Sequence, residues 1–166
     1  HGEAEDLGIA VSDMSEVADF TGCDVLCYEY SGYGLASGEP SESNCYADIR
    51  AAYEYLVKDK GVDPLRIVLY GKSLGTGSSV DLASQVDVGG LVMVSSFLSL
   101  SYSKVLRVTG VQRTDAFSNV DKIHRVKCQV LIIHGMRDRI VPYSSVVNLF
   151  KKAPNKAPPV IVPFAD

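Results

Sequence analysis

The stretch Ile67-Val68-Leu69-Tyr70-Gly71-Lys72-Ser73-Leu74-Gly75-Thr76-Gly77-Ser78 leads from an apolar, β-branched run through a serine into a glycine-rich segment. This pattern predicts a strand, a sharp turn centred on Ser73 and the start of a helix. A nucleophilic serine at such a turn projects above the sheet, and small flanking residues let the strand and the helix approach each other. Ser73 is therefore a candidate nucleophile, and the alternative is a glycine-rich turn with an inert serine.

Two nucleotide-binding motifs resemble parts of this sequence, and neither fits. Gly71-Lys72-Ser73 resembles the end of a P-loop, but that motif requires a glycine in place of Arg66 and a flexible loop where 67–70 predict a strand. Glycines that follow an earlier apolar run resemble a dinucleotide fingerprint: Gly32, Gly34 and Gly38. Their last gap is one residue too long, and Glu39-Pro40 blocks direct entry into a helix.

Strand and helix patterns alternate outward from this stretch. Five apolar runs predict buried parallel strands: 24–30, 66–70, 91–94, 129–133 and 159–164. Amphipathic patterns predict helices: 12–20, 42–60, 74–85 and 144–152. Together they are typical of an α/β fold with a mostly parallel sheet flanked by helices. The irregular segment 97–127 is interpreted as a short cap or excursion within a single domain, 1–166.

Composition and charge argue against several classes of function. The 166 residues are 46% hydrophobic and 22% charged, as in one globular domain with a buried core. A net charge of −4 with scattered Lys and Arg argues against a nucleic-acid partner. The longest apolar stretches fall short of the roughly 20 residues that a membrane-spanning helix needs. The four cysteines lack zinc-type spacing and suit reduced, buried positions, so we expect a cytoplasmic protein without a metal or cofactor.

An acidic partner for Ser73 is expected just after a later strand, because catalytic groups of parallel sheets gather at the carboxyl ends of the strands. Asp138 has this position, since it follows the apolar run 130–133 and His134-Gly135 in a polar loop. Other aspartates fall in predicted helices or surface turns: Asp81, Asp87, Asp115 and Asp121. Asp138 is therefore the candidate acid, and the alternative is that it only caps a turn.

A series of motifs from His1 almost to Asp166 carries a family resemblance: His1-Gly2-Glu3-Ala4-Glu5-Asp6-Leu7-Gly8, Tyr28-Glu29-Tyr30-Ser31-Gly32-Tyr33-Gly34, Pro40-Ser41-Glu42, Tyr46-Ala47-Asp48-Ile49 and Val80-Asp81-Leu82-Ala83-Ser84. In this order they resemble the Bem46-type α/β-hydrolases. Within that family, the sequence is similar to the depalmitoylating group called alpha/beta-hydrolase domain-containing protein 17.

The resemblance implies a Ser, Asp, His triad in which Ser73 attacks an acyl carbonyl and Asp138 orients a histidine base. It also implies two backbone oxyanion donors, one from the loop that carries Glu3 and one from Leu74, the residue after the nucleophile. Glu3 replaces the asparagine usual in the family. Because a carboxylate would repel a developing oxyanion, we expect the Glu3 side chain to point away from the site.

The family histidine lies in a loop beyond the last strand, and the sequence stops before that loop is expected. We assign none of His1, His124 and His134 as the base, and we expect this chain alone to be inactive. The first residue is not Met and no leader segment follows it, so we expect an excerpt of a longer protein. The family strand order then leaves the fold incomplete at both ends, with the first two predicted strands not paired to each other and the last four paired in sequence.

By resemblance, the reaction is cleavage of a thioester or ester through an acyl-enzyme, with removal of palmitate from an S-acylated protein. The short excursion is too small for a large lid, which suits a protein-borne acyl chain, although small-molecule esterases also have short lids. A non-catalytic interaction domain is the other alternative, favoured by Glu3 and by the missing histidine. In the full-length protein, peripheral membrane contact is expected from an N-terminal segment outside this sequence.

Overall fold

A four-stranded parallel sheet organises the chain in a computed structural model that describes residues 1–100 and 117–165. The strands are β1 (Val68–Lys72), β2 (Gly90–Val94), β3 (Gln129–Gly135) and β4 (Val160–Val162), and they pair in sequence order. Val94 of β2 is aligned with Lys72 of β1 on one side and with Ile133 of β3 on the other. The strands therefore run towards one common edge, and the expected pairing of the last four predicted strands is confirmed.

Within the described ranges, four α-helices accompany the sheet: α1 (Leu7–Thr21), α2 (Glu42–Glu54), α3 (Leu74–Ala83) and α4 (Tyr143–Lys152). Shorter turns are π-helical at Tyr55–Asp59 and 3-10 at Pro64–Arg66, Asn119–Asp121 and Ile123–Arg125. Ser41 caps α2 by accepting a hydrogen bond from the Asn44 N–H at 3.0 Å. The parallel sheet and these helices confirm the α/β class. In the ranges that the structure covers, no helix combines the length and apolar character that crossing a bilayer requires.

The first predicted strand is wrong. Residues 24–30 do not form a strand, and none of the described residues forms a ladder with them. Val25 and Leu26 are exposed, whereas Tyr30 at the end of the segment is buried in a second, smaller core cluster. An apolar, β-branched run favours an extended backbone, but a strand also needs a hydrogen-bonded neighbour, which the described part of the chain does not supply. The expectation that this segment is not paired with β1 is confirmed.

The other elements differ from their predicted bounds at their ends. β1 begins at Val68 rather than at 66, because Pro64–Arg66 closes a 3-10 turn that is capped by Asp63. The predicted helix 12–20 begins instead at Leu7, because the Asp6 side chain accepts a hydrogen bond from the N–H of Ile9 and caps the helix there. Such caps depend on local side-chain geometry, which an apolar pattern does not contain.

β1 is the outermost strand of the described sheet on its side. Val68 and Tyr70, which share one face, are 59% and 38% exposed, whereas Leu69 on the opposite face is buried. Successive side chains of a strand point to opposite faces. The described residues therefore cover only one face of β1.

The main core lies between the covered face of the sheet and helices α3 and α4. Met93 of β2, Leu82 of α3 and Leu149 of α4 belong to one cluster and are each 1% exposed or less. Burying one such side chain contributes about 1.5–3 kcal/mol. Every residue of α3 is buried, and a Cβ atom at Gly77 would lie 2.4 Å from the Phe117 side chain. The close packing of α3 fixes the position of the serine that precedes it.

The predicted excursion 97–127 is described only at its two ends, because residues 101–116 lie outside the described residues. Its last part consists of short 3-10 turns. Asn119 in these turns is buried, and its side-chain amide donates to the Phe97 carbonyl at 3.0 Å. The two ends of the excursion thus meet, and the interpretation of a short cap within a single domain stays a prediction.

Candidate active site

Ser73 occupies the turn between β1 and α3 in a conformation that few non-glycine residues adopt. Its φ is 50° and its ψ is −112°, and strained conformations of this kind cost about 1–3 kcal/mol and concentrate at functional sites. Its N–H donates to the Val94 carbonyl at 2.9 Å, and its carbonyl accepts from the Thr76 N–H at 2.9 Å and from the Thr76 hydroxyl at 2.7 Å. The backbone is held firmly, while the Ser73 hydroxyl has no hydrogen-bond partner among the described residues.

The glycines on either side of Ser73 are required by close backbone approach. A Cβ atom at Gly71 would lie 2.5 Å from the Gly75 carbonyl oxygen, which is closer than van der Waals contact permits. A Cβ atom at Gly75 would lie 3.1 Å from both the His1 carbonyl oxygen and the Tyr30 hydroxyl. Small residues at these two positions let the turn close over the end of β1, as the sequence pattern predicts.

The two predicted oxyanion donors belong to elements that meet at this turn. Leu74 is the first residue of α3, so its N–H has no acceptor one turn earlier in the helix and lies at the positive end of the helix dipole. The loop that carries Glu3 is joined to the same turn, because the Gly75 N–H donates to the His1 carbonyl at 3.1 Å. That both backbone N–H groups bind an oxyanion stays a prediction.

The Glu3 side chain is exposed, which fits the expectation that its carboxylate is turned towards solvent. Burial and, to a smaller extent, the charge of Glu3 raise the pKa of the Tyr33 phenol. The Glu3 carboxylate therefore acts electrostatically on a neighbouring tyrosine, and water can screen its charge.

Asp138 lies in the loop after β3, at the same sheet edge as Ser73 and two strands away. Its side chain is 8% exposed. One carboxylate oxygen, Oδ1, accepts hydrogen bonds from the N–H groups of Ile140 at 2.9 Å and Val141 at 2.8 Å. The other oxygen, Oδ2, has no hydrogen bond among the described residues and lies 3.9 Å from His134 Nε2. Asp138 does cap a turn, but with only one of its two oxygens.

The three histidines have different surroundings, and the expectation that none of them is the base on Ser73 stays a prediction. Both ring nitrogens of His1 face oxygen atoms, with Nδ1 2.9 Å from the Gly2 carbonyl and Nε2 2.7 Å from a Glu29 carboxylate oxygen. His134 is buried, its Nε2 lies 3.1 Å from the Val141 carbonyl, and its Nδ1 has no partner among the described residues. His124 is exposed in the turn that precedes β3, at the amino end of that strand.

The chain is similar to curated proteins over almost its whole length. It is 42% identical over 165 residues to the alpha/beta hydrolase domain-containing protein aho-3 of Caenorhabditis elegans, covering 99% of the chain and 50% of that protein. It is 39% identical over 167 residues to alpha/beta hydrolase domain-containing protein 17C of Homo sapiens, covering 98% of the chain and 49% of that protein. The chain belongs to the α/β-hydrolase superfamily. It spans about half the length of the curated relatives it matches, and no family model matches it.

Solved structures of α/β-hydrolases share this fold. The α/β-hydrolase from Vibrio vulnificus matches with a TM-score of 0.75 at 22% identity, over 93% of the chain and 61% of that structure. The α/β serine hydrolase homologue from Coxiella burnetii matches with a TM-score of 0.72 at 18% identity, over 91% of the chain and 64% of that structure. The predicted α/β-hydrolase fold is confirmed, and the chain spans only part of the fold seen in these structures.

The candidate site also contains polar residues that the sequence pattern did not single out. The Glu29 carboxylate, 2.7 Å from His1 Nε2, accepts a hydrogen bond from the Leu7 N–H at 2.8 Å and so joins the Glu3 loop to α1. The Tyr30 hydroxyl donates to the His1 carbonyl at 3.0 Å, and burial raises the pKa of Tyr30, which keeps this donor protonated. The signal for both was their place in the second quoted motif, at the end of an apolar run.

Proposed function

We propose that this α/β-hydrolase is a serine acyl hydrolase that cleaves a thioester or ester through an acyl-enzyme on Ser73. The observation that carries the proposal is the strained Ser73 at the carboxyl end of β1, with its hydroxyl unpaired among the described residues and Asp138 at the same sheet edge. Membership of the hydrolase superfamily supports it. A serine held under strain with no structural bond to its hydroxyl is typical of a nucleophile.

The proposed reaction has two steps. Ser73 Oγ forms a bond to the acyl carbonyl carbon while a histidine accepts the hydroxyl proton, and the thiol or alcohol leaves with that proton. Water then attacks the acyl carbon while the same histidine accepts its proton, and that proton passes to Ser73 Oγ as the bond from Oγ to the acyl carbon breaks and the free acid leaves. Asp138 would orient the histidine through Oδ2, the oxygen that the turn does not use. We assign the base to a histidine other than His1, His124 and His134.

The backbone N–H groups of Leu74 and Glu3 would stabilise the oxyanion in both steps. Loss of one such donor typically lowers kcat by about 10²–10³-fold. Leu74 lies at the start of a fully buried helix, so its N–H is held rigidly. The exposed side chain of Glu3 leaves its backbone N–H available without placing a carboxylate at the oxyanion.

For the substrate, we propose an S-acylated protein that loses its palmitoyl group. The support is the resemblance to the alpha/beta-hydrolase domain-containing protein 17 group and the short predicted cap, 97–127, which would leave the site open to a protein-borne acyl chain. A small-molecule ester is the other substrate class. We further propose a cytoplasmic protein with peripheral membrane contact through its N-terminal part, without a metal, a cofactor or a nucleic-acid partner.

The proposal is tested by labelling the full-length protein with a fluorophosphonate probe and mapping the modified residue. We expect Ser73 to be the labelled residue and Ser73→Ala to lose labelling while its melting temperature stays close to that of the wild type. Ser95→Ala is the matched control, because Ser95 also follows a strand at this edge with a positive φ of 48°. It should label as the wild type does.

A folded full-length protein that does not label would favour a non-catalytic interaction domain instead, the function suggested by Glu3 in place of asparagine. Hydrolysis assays separate the two substrate classes, since a palmitoylated peptide and a short-chain ester can be compared at equal concentration. Turnover of the short ester alone would reject the protein substrate and retain the serine hydrolase.

A further inference from the structure

An ion pair joins the Glu3 loop to the serine turn. The Lys72 ammonium, one residue before Ser73, donates to Glu5 Oε1 at 2.5 Å. The other oxygen of the same carboxylate, Oε2, accepts a hydrogen bond from the Gly2 N–H at 2.8 Å. Glu5 therefore contacts the end of β1 with one oxygen and the backbone next to Glu3 with the other.

A second contact holds the same loop from the far side of Ser73. The Gly75 N–H donates to the His1 carbonyl at 3.1 Å, and the Tyr30 hydroxyl donates to that carbonyl at 3.0 Å. Lys72 and Gly75, on either side of Ser73, are thus both bonded to the loop that precedes α1. Only the Lys72 contact depends on a side chain of the turn itself.

Each member of this pair stabilises the charged form of the other. Burial disfavours the ionised form of Glu5, but the hydrogen bonds from Lys72 and from the Gly2 N–H outweigh it, so the pKa of Glu5 is lowered. The hydrogen bond to Glu5 raises the pKa of Lys72. Both groups are therefore charged near neutral pH, although both are partly exposed. An ion pair of this exposure adds little to overall stability, about 0–1 kcal/mol.

We propose that Glu5 and Lys72 are positioning residues that hold the Gly2–Glu3 backbone at a fixed distance from Ser73 Oγ. The inference rests on the serine hydrolase function proposed above. An oxyanion donor is effective only when its N–H points at the oxygen of the tetrahedral intermediate, and a misplacement of about 1 Å can lower the rate 10²-fold. Because Gly2 adjoins Glu3, releasing the Gly2 N–H from Glu5 would loosen the donor without removing it.

The test uses full-length protein with Lys72→Met and Glu5→Gln. Met keeps the length of the lysine side chain without its charge, and Gln keeps an oxygen for the Gly2 N–H but places an amide nitrogen opposite the Lys72 ammonium. We expect each variant to lower kcat for acyl-thioester hydrolysis about 10-fold, with KM unchanged, because the donor acts on the transition state. Fluorophosphonate labelling should slow by the same factor.

Two further variants control for charge and for folding. Asp13→Asn removes the weaker partner of Lys72, a contact of 3.4 Å to an exposed carboxylate that does not reach the loop, and it should hydrolyse and label at the wild-type rate. Lys72→Arg keeps a cation that can reach Glu5 and should recover most of the rate lost in Lys72→Met. Melting temperatures of all four variants should stay within a few degrees of the wild type.

Three results would overturn the inference while the wild type remains active: wild-type kcat in both Lys72→Met and Glu5→Gln, a change confined to KM, or an equal loss in Asp13→Asn. Failure of Lys72→Arg to recover any rate would also count against it. A wild-type protein that does not label would overturn the proposed function first, and the inference with it.

Discussion

The turn at Ser73 and the loop at Asp138 stand at the same edge of the sheet but are built by different forces. At Ser73 the backbone itself is strained, two glycines permit a close approach, and the hydroxyl is unpaired within the described residues. At Asp138 the side chain organises the backbone, because one carboxylate oxygen holds the N–H groups of Ile140 and Val141. The proposed nucleophile is positioned by its surroundings, whereas the proposed acid positions its own loop. Substitutions at the two sites should therefore affect activity and stability in different ways.

Asp138→Asn should have the largest effect on activity. The amide oxygen can still accept the two backbone hydrogen bonds, so folding should be retained, but the neutral group cannot stabilise a histidinium, and kcat should fall by about 10⁴-fold as in other serine triads. Hydrolysis by the full-length variant, with circular dichroism as the folding control, measures this.

Asp138→Ala is the matched comparison, since it also removes the turn contacts and should lose about 1–3 kcal/mol of stability in addition. If Asp138→Asn retained wild-type turnover, Asp138 would be a turn cap and not the acid.

Gly71→Ala should damage the serine turn through the backbone. The added Cβ would meet the Gly75 carbonyl at 2.5 Å and the Ser79 hydroxyl at 2.8 Å, so the helix must shift, at a cost of about 1–3 kcal/mol. Urea denaturation should show this loss, together with a loss of fluorophosphonate labelling. Gly90→Ala is the control, because its Cβ would meet nothing closer than 3.7 Å. Equal stability of the two variants would contradict the close approach.

His134→Leu should affect the acid loop moderately. The substitution leaves the buried Val141 carbonyl without its partner at 3.1 Å, which should cost about 1–3 kcal/mol in denaturant unfolding. We expect kcat to fall less than in Asp138→Asn, since the Asp138 carboxylate keeps its own hydrogen bonds. A loss of turnover as complete as that of Asp138→Asn, in a folded protein, would instead make His134 the base.

The smallest effect that we expect is a change in stability on acidification, which acts through Glu5. Its pKa is lowered in the folded state, so its contribution to stability is complete above the ordinary glutamate pKa and is lost as the pH falls through the lowered value. The charged neighbours that act on it are Lys72 and His1. The melting temperature of Glu5→Gln should therefore lie slightly below that of the wild type at neutral pH and approach it as the pH falls through the lowered pKa of Glu5. A difference that grows on acidification would refute this sign.

Local patterns predicted the parts of the site that depend on neighbours in sequence. The strand, turn and helix around Ser73 and the place of Asp138 after β3 follow from apolar runs and glycines within a few residues. The prediction for 24–30 was wrong because pairing depends on a distant partner. The ion pair between Glu5 and Lys72 joins residues 67 positions apart, so no spacing rule could indicate it.

The contact between His134 and the Val141 carbonyl could not be predicted from the sequence pattern for another reason. Its two ends are only seven residues apart, but the contact depends on how the loop after β3 folds back over the strand. The sequence predicted a polar loop there and a side chain at the strand end. The sequence contained no signal for the direction in which the loop folds or the side chain points.

The complete burial of α3 has a consequence for protein engineering. Because each of its ten residues is enclosed and Gly77 adjoins the Phe117 ring, random libraries that include this helix should yield mostly unfolded variants. Libraries should instead vary exposed positions at the same edge, such as Met136, Arg139 and Ile140. These residues lie near Asp138 in sequence and do not belong to the main core. Selection for the proposed acyl-hydrolase activity on new substrates should therefore accumulate changes in loops and leave the helix after Ser73 unchanged.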